Sequence, residues 1–146
     1  MIGIHVHDAS FKPWGCDYSI DTAAVTVAAG EQYGNINLAA SLKNLTVLSA
    51  GERYVGIGGH VTGGGHAALS PTYGLAADNV LEVELVTPGG DILTANECQN
   101  QDLFWAMRGV SLQSPQAQNF PFCFAKYKYI YIGRWFNLWS HYLNNN

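Results

Sequence analysis

The sequence predicts an α+β fold, and three observations carry that reading. Residues 23–28 (AAVTVA) and 80–87 (VLEVELVT) are rich in β-branched residues and read as strands. Residues 32–43 instead place apolar positions at helical spacing. A second alternating run follows residues 80–87 across Pro88-Gly89-Gly90-Asp91, the composition of a turn, so the two runs read as a hairpin. Strand, helix and strand followed by a hairpin is an α+β order.

In chain order, Ile2, Ile4 and Val6 alternate with Gly3 and His5, the pattern of a half-buried strand. Cys16–Ile20 offers a second strand. Ala23–Ala28 is the third, and Gly30 ends it. Gln32–Lys43 forms a helix with Tyr33, Ile36, Ala39 or Ala40 and the stem of Lys43 on one face, and Asn44 closes it as a residue that tolerates left-handed backbone. Leu45–Leu48 is a short strand. A glycine-rich loop follows. In Val80–Thr87, Leu81, Val83 and Leu85 take one side, and Glu82 and Glu84 point to solvent on the other. Ile92–Ala95 returns as a strand, and Asn96 or Asn100 caps a last helix over Gln101–Met107, with Leu103, Phe104 and Met107 on its inner face.

The chain has 146 residues, a formal net charge of −4 and 48% hydrophobic residues. That length suits one globular domain that buries about two-thirds of its extended-chain surface. The acidic balance argues against nucleic acid, whose phosphates need a basic face. No apolar run of about 18 residues exists to span a membrane, and the N-terminus lacks a signal-peptide pattern. Cys16, Cys98 and Cys123 define neither a disulfide framework nor a metal knuckle, and the compartment stays open.

The texture changes after Gly109. All eleven acidic residues lie before it, giving that part a net −7, whereas the rest carries +3 from Lys126, Lys128 and Arg134. Tyr127–Ile132 alternates like a strand, but no turn-rich element follows to complete a sheet. Two domain assignments follow: 1–109 as the folded unit and 110–146 as an atypical tail. The tail reads as translated intron sequence: Val110-Ser111 is what an intron start, GTAAGT, encodes, and Lys, Tyr, Ile, Asn and Phe are products of AT-rich codons. A natural C-terminal extension is the alternative.

Six glycines fall within Gly56–Gly65, in the run Gly56-Ile-Gly-Gly-His-Val-Thr-Gly-Gly-Gly-His66. Such density costs backbone entropy, and close approach of the backbone to a ligand is the usual return, with N–H groups free to meet oxygen atoms. A tight connection between sheet elements is the competing explanation. No Gly-Lys-Ser/Thr ending exists, so a P-loop is excluded, and Val61 stands where a dinucleotide fingerprint beginning at Gly56 needs glycine. His5 and His7 share a strand face at a spacing metals use, but no third ligand can be named and no metal is assigned. His60 and His66 flank the loop, with polar packing as the alternative for both.

The run from Gly56 to Leu69, then Tyr73-Gly-Leu-Ala-Ala-Asp-Asn-Val80, then Leu103-Phe-Trp-Ala-Met-Arg-Gly109, resembles the FAD-linked oxidases of the berberine-bridge-enzyme-like group. These belong to the vanillyl-alcohol oxidase / p-cresol methylhydroxylase (PCMH-type) FAD-binding fold. The resemblance covers residues 2–109 and implies a partial PCMH-type FAD-binding domain, a mixed sheet with flanking helices, truncated at both ends. It implies FAD as cofactor, with Gly56, Gly58, Gly59, His60, Thr62, Gly63, Gly64, Gly65 and His66 along the flavin and Gly74, Asp78 and Val80 supporting it from the next strand. Thr62 offers a hydroxyl, not a thiolate, so no cysteinyl link is expected. The histidine that carries the family's other flavin link would precede Met1. Val110-Ser111 replaces the glycine run expected after Gly109.

The function implied is that of the FAD-binding fragment of an FAD-dependent oxidoreductase, which oxidises an alcohol or activated C–H of a small-molecule substrate with hydride transfer to flavin. No catalytic residue is named, because the substrate domain is not in this chain. The alternative is a catalytically inactive fragment, or a small binding module without cofactor. The resemblance says that related oxidases are often secreted.

Overall fold

The computed structural model describes residues 4–7, 9–109 and 125–130. Within them the strands are β1 (His5–His7), β2 (Ala24–Ala28), β3 (Val80–Val86), β4 (Ile92–Asn96) and β5 (Ala125–Ile130). The helices are α1 (Tyr33–Ser41), α2 (Ile57–Thr62), α3 (Ser70–Tyr73) and α4 (Gln101–Met107), with a 3-10 turn at Ala76–Asn79.

One sheet carries all five strands in the order β1-β2-β5-β3-β4. Every described pairing is antiparallel, so the expected mixed sheet shows only antiparallel ladders among the described residues. β5 lies between β2 and β3. Tyr129 stands opposite Val25 on one side and Val80 on the other, and Tyr127 opposite Val27 and Val83. A register shift between Val80 and Glu82 marks an irregularity in the second ladder. The expected strand over residues 127–132 is thus observed at Ala125–Ile130; residues 131 and 132 lie outside the described set, as do Met1–Gly3 of the first expected strand.

The core joins the sheet to α1 and α2. Val25, Val27, Tyr33, Ile36, Ala40, Ile57, Val61 and Val83 are each fully buried in one cluster. Each large aliphatic in it contributes about 1.5–3 kcal/mol by leaving water. Tyr33, Ile36 and Ala40 form the inner face of α1, as the helical spacing predicts. The helix ends through the expected residue: Asn44 has φ 55°, and the N–H groups of Asn44 and Leu45 return to Ser41 O (3.0 Å) and Ala40 O (3.0 Å). This is a Schellman closure. α4 matches its expected bounds and buries Phe104. No helix among the described residues is long and apolar enough to cross a membrane.

Several expectations need correction. Cys16–Ile20 is not a strand: only Phe11 and Ile20 form an isolated bridge, and residues 12–19 are turn and loop. Leu45–Leu48 is a single bridge residue and then irregular chain, because Asn44 has just reversed the backbone. Part of the glycine-rich loop is helical, as α2. Asn96 does not cap α4; the cap position is Asn100, in left-handed backbone at φ 48° and without a side-chain cap bond.

The largest correction concerns Glu82, expected in solvent and found 1% exposed. The loop at residues 12–16 folds over that face of β3. Trp14 N–H and Asn96 Nδ2 (2.9 Å) both donate to Glu82 Oε2. Asn96, also fully buried, uses all of its capacity: Nδ2 donates to Trp14 O (2.9 Å) as well, and Oδ1 accepts from Cys98 N–H (2.8 Å) and Gln99 N–H (2.9 Å). Beside this cluster a Cys16–Cys98 disulfide closes 82 residues of sequence. The expectation of no disulfide framework fails because the pair is adjacent only in the fold.

Two outcomes follow. A crosslink over so long a loop stabilises by restricting the unfolded chain, so the Cys16→Ser/Cys98→Ser double variant is expected to lose about 2–5 kcal/mol in urea unfolding. Lys128→Pro, which removes a ladder donor in the middle of the sheet, is expected to destabilise the fold at the upper end of the roughly 0.5–3 kcal/mol usual for single substitutions. A variant that melts with the parent would show that β5 does not bridge the sheet.

Candidate cofactor site

The site grows from the exit of β2. Gly56 and Gln32 form a bridge, and α2 starts with Ile57 N–H on Glu31 O (2.9 Å) and Gly58 N–H on Ala29 O (3.0 Å). Gly58 is there because nothing larger fits: an added Cβ would lie 2.9 Å from Ala29 O. Ile57 and Val61, four apart, bury the inner face of α2, and Gly59 and Gly63 remain on the exposed side.

His60 locks this helix to α1 and to the following turn. Its Nδ1 lies 2.8 Å from the Tyr33 hydroxyl and its Nε2 2.9 Å from His66 O. A carbonyl only accepts, so Nε2 carries the proton, and in the neutral ring Nδ1 accepts from the Tyr33 O–H. Both ring nitrogens are thereby engaged by the protein. His66 is exposed, and its ring has no partner among the described residues. Thr62 Oγ1 turns back onto Gly58 O (3.1 Å) and Gly59 O (3.3 Å).

After α2 the chain reverses through Gly64 (φ 95°) and Gly65 (φ 76°), backbone that strongly favours glycine. This reversal docks on the second motif: Ala76 N–H donates to Gly65 O (2.8 Å) and Ala77 N–H to Gly64 O (3.1 Å). The contact is close enough that a Cβ on Gly65 would come within 2.5 Å of Ala76 Cβ. Gly74 (φ 78°) turns the chain beneath Asp78, whose carboxylate accepts from Leu75 N–H (2.8 Å). Arg108 at the end of α4 donates from Nε to Ala77 O (2.8 Å) and pairs with Asp78 at 3.9 Å. Val80 sits in the core, 4% exposed.

The fold therefore brings Gly56–His66 together with Gly74 and Asp78. Sequence reasoning missed three residues that shape the site: Tyr33, which holds His60; Arg108, which ties α4 to the second motif; and Asn79, whose Nδ2 donates to Tyr73 O (3.0 Å) and Leu75 O (2.9 Å). Asn79 and Arg108 lie inside the quoted motifs, so their signal was available. Tyr33 carried only a core signal.

The glycines divide into two sets. The protein itself requires Gly58, Gly64, Gly65 and Gly74, for packing or for positive φ. It does not require Gly56 or Gly59: neither has positive φ, and a Cβ on either would meet nothing within 4 Å. In addition, the N–H groups of Gly59, Gly65 and His66 have no hydrogen-bond partner among the described residues, although Gly65 is buried. Buried backbone donors are rarely left orphaned. Open space over glycine, with donors beside it, fits an oxygen-rich ligand.

The two N-terminal histidines lie elsewhere. His7 Nε2 is 2.9 Å from Thr26 Oγ1, and the His5 ring stands edge-on to it at 4.6 Å. No group of three metal-ligating side chains occurs among the described residues.

A family described as FAD binding domain matches residues 16–96, more than half of the chain. The chain belongs to that family. FAD is the cofactor of this FAD-binding domain, and relatives agree. An FAD-linked oxidoreductase of Phaeosphaeria nodorum is 45% identical over 104 residues, 70% of this chain and 24% of its own length. Another from Gibberella zeae is 42% identical over 106 residues, 72% of this chain and 19% of its own. A VAO-type flavoprotein of Myceliophthora thermophila superposes with a TM-score of 0.73 at 28% identity, over 88% of this chain and 22% of that one. A berberine-bridge-enzyme-like protein of Physcomitrella patens gives 0.65 at 33% identity, over 75% and 22%. The α+β architecture is thus that of the PCMH-type fold, and this chain spans a quarter or less of these relatives' lengths.

The two glycine classes are separable by measurement. Gly65→Ala is expected to cost about 1–3 kcal/mol, for positive φ and the clash with Ala76. Gly59→Ala is expected to raise stability by about 0.4–1 kcal/mol, since it restricts the unfolded chain and fits the helix. Thermal unfolding of both, without cofactor, reads the difference; a destabilised Gly59→Ala would mean that the protein needs that glycine for its own packing.

Proposed function

We propose that residues 56–80 hold FAD non-covalently and that the chain is the FAD-binding part of an FAD-dependent oxidoreductase acting on an alcohol or an activated C–H group. The observation that carries this reading is the pair of glycines the protein does not need, Gly56 and Gly59, beside unpartnered backbone N–H groups. When bound, flavin supplies the redox chemistry by accepting a hydride from substrate and passing electrons to oxygen.

The chain's own residues bind and orient. On this reading the backbone of Gly56, Gly58, Gly59, Gly63, Gly64 and Gly65 lies along the flavin and donates to its oxygens. His60 and Thr62 hold that backbone in shape through their bonds to Tyr33, His66 O and Gly58 O. The exposed His66 ring faces flavin or substrate. Gly74 and Asp78, fastened by Arg108, and Val80 in the core support the cradle from beneath.

A second reading has its own support. The chain covers 24% or less of the relatives' lengths, and Trp105 (79% exposed) and Tyr54 (65%) are large side chains left in solvent. Such surface suits an inactive fragment without cofactor. The origin of residues 110–146 in translated non-coding sequence is part of the same proposal, with a natural C-terminal extension, of which Ala125–Ile130 supplies β5, as the alternative; an uninterrupted transcript in this frame would overturn the non-coding origin.

The deciding experiment is an absorbance scan from about 300 to 600 nm on the chain purified with added FAD, since a protein-held flavin absorbs there. A yellow spectrum released by acid is expected, and Gly59→Ala is expected to weaken FAD at least about tenfold, or about 1.4 kcal/mol, while the protein stays folded. A colourless folded protein would favour the inactive fragment.

A further inference from the structure

We infer that Asn44 is an acceptor for N-linked glycan. Asn44-Leu45-Thr46 is the single Asn-X-Ser/Thr triplet in the sequence, and Leu45 leaves it unblocked by proline. Many such triplets are buried, but this one lies where a glycan can be carried. Asn44 is exposed, at φ 55° in the reversal that closes α1, and its carboxamide has no hydrogen-bond partner among the described residues.

An independent feature fits the compartment where the modification occurs. The Cys16–Cys98 disulfide requires an oxidising compartment such as the secretory lumen. Glycan transfer to such triplets takes place in the same compartment. The surroundings also suit a glycan. Leu38 on α1 (62% exposed) and Leu42 at its C-cap (78%) are four residues apart and shortly precede Asn44, exposed apolar surface that a glycan would shield. Tyr33, which holds His60, begins the opposite end of α1, about 12 Å of helix away, so a glycan at Asn44 leaves the glycine cradle open.

The reaction is a group transfer with no redox step. Asn44 Nδ2 forms a bond to the anomeric carbon of an oligosaccharide. The bond from that carbon to the pyrophosphate of a lipid-linked donor breaks, the pyrophosphate departs with the electron pair, and the amide loses one proton. Thr46 is half-buried in the folded chain, so transfer precedes closure of the turn. Asn96-Glu97-Cys98 serves as an internal contrast: Asn96 is fully buried with its amide committed on all sides.

The test is cell-free translation of the full chain, behind a cleavable secretion leader, in the presence of microsomes. Only protease-protected chains are scored. One discrete mass increment is expected, removed by an N-glycan amidase that leaves Asp at position 44 in the peptide spectrum. Asn44→Gln and, independently, Thr46→Ala should abolish the increment, and Thr46→Ser should keep it. Protected chains without the increment, or an increment that survives Asn44→Gln, would overturn the assignment.

Discussion

The sheet depends on the ladders of β5. β1 pairs with β2 and β3 with β4, and β5 is the strand that hydrogen-bonds to both pairs. Two isolated two-stranded ribbons are marginal in water, whereas a continuous sheet with one buried face is not. The constraint is that buried backbone N–H and C=O groups must find partners. Val25 and Val27 on β2, and Val83 on β3, are buried, and the backbone they belong to cannot turn to water for its missing bonds. An alternating segment from the far end of the chain meets this need, because the ladder asks for extended backbone before it asks for particular side chains. Everything that positions the glycine cradle starts from that sheet: β2 delivers Ala29 to α2, and the 3-10 turn leads directly into β3.

On the proposed reading, the cradle separates the protein's own needs from those of FAD. Gly58 and Gly65 let the chain pack on itself, the first against Ala29 and the second against Ala76. These contacts fix the path of α2 and the reversal after it. The side chains within the loop face inward to maintain that path: His60 bridges Tyr33 and His66 O, and Thr62 folds back on α2. What is presented outward is backbone, with Gly59 on the open side. On the proposed reading, that main-chain surface meets a planar, oxygen-bearing group at low entropic cost, since little remains to be ordered on binding.

A buried polar cluster does similar service for the fold on β3 and β4. Glu82, Asn96 and the Trp14 backbone are mutually hydrogen-bonded, and the disulfide holds the loop that covers them. A half-satisfied cluster there would destabilise the hairpin end, but Asn96 leaves none of its donors or acceptors unmet. The loop at residues 12–16 is thus fastened over β3 by covalent and polar means as well as by its buried Pro13 and Cys16, and Trp14 remains 70% exposed.

The sequence by itself determined the elements whose signal is local. Ala24–Ala28, Val80–Val86 and the turn at Pro88–Asp91 follow from β-branched alternation and turn composition; Tyr33–Ser41 and Gln101–Met107 follow from helical spacing; Asn44 was legible as the residue that ends α1. The glycine run, read with the two motifs after it, pointed to the flavin fold. Tertiary structure alone decided the rest. Glu82 alternates as a solvent residue should, but a loop nearly seventy residues earlier in the chain covers it. Cys16 and Cys98 have no local relation, and only the docking of that loop beside Asn96 makes them neighbours. Gly58 and Gly59 are the same residue twice in sequence, yet one faces Ala29 and the other open space. Periodicity reports which side of an element a residue takes; what lies on that side is set by chain brought from elsewhere.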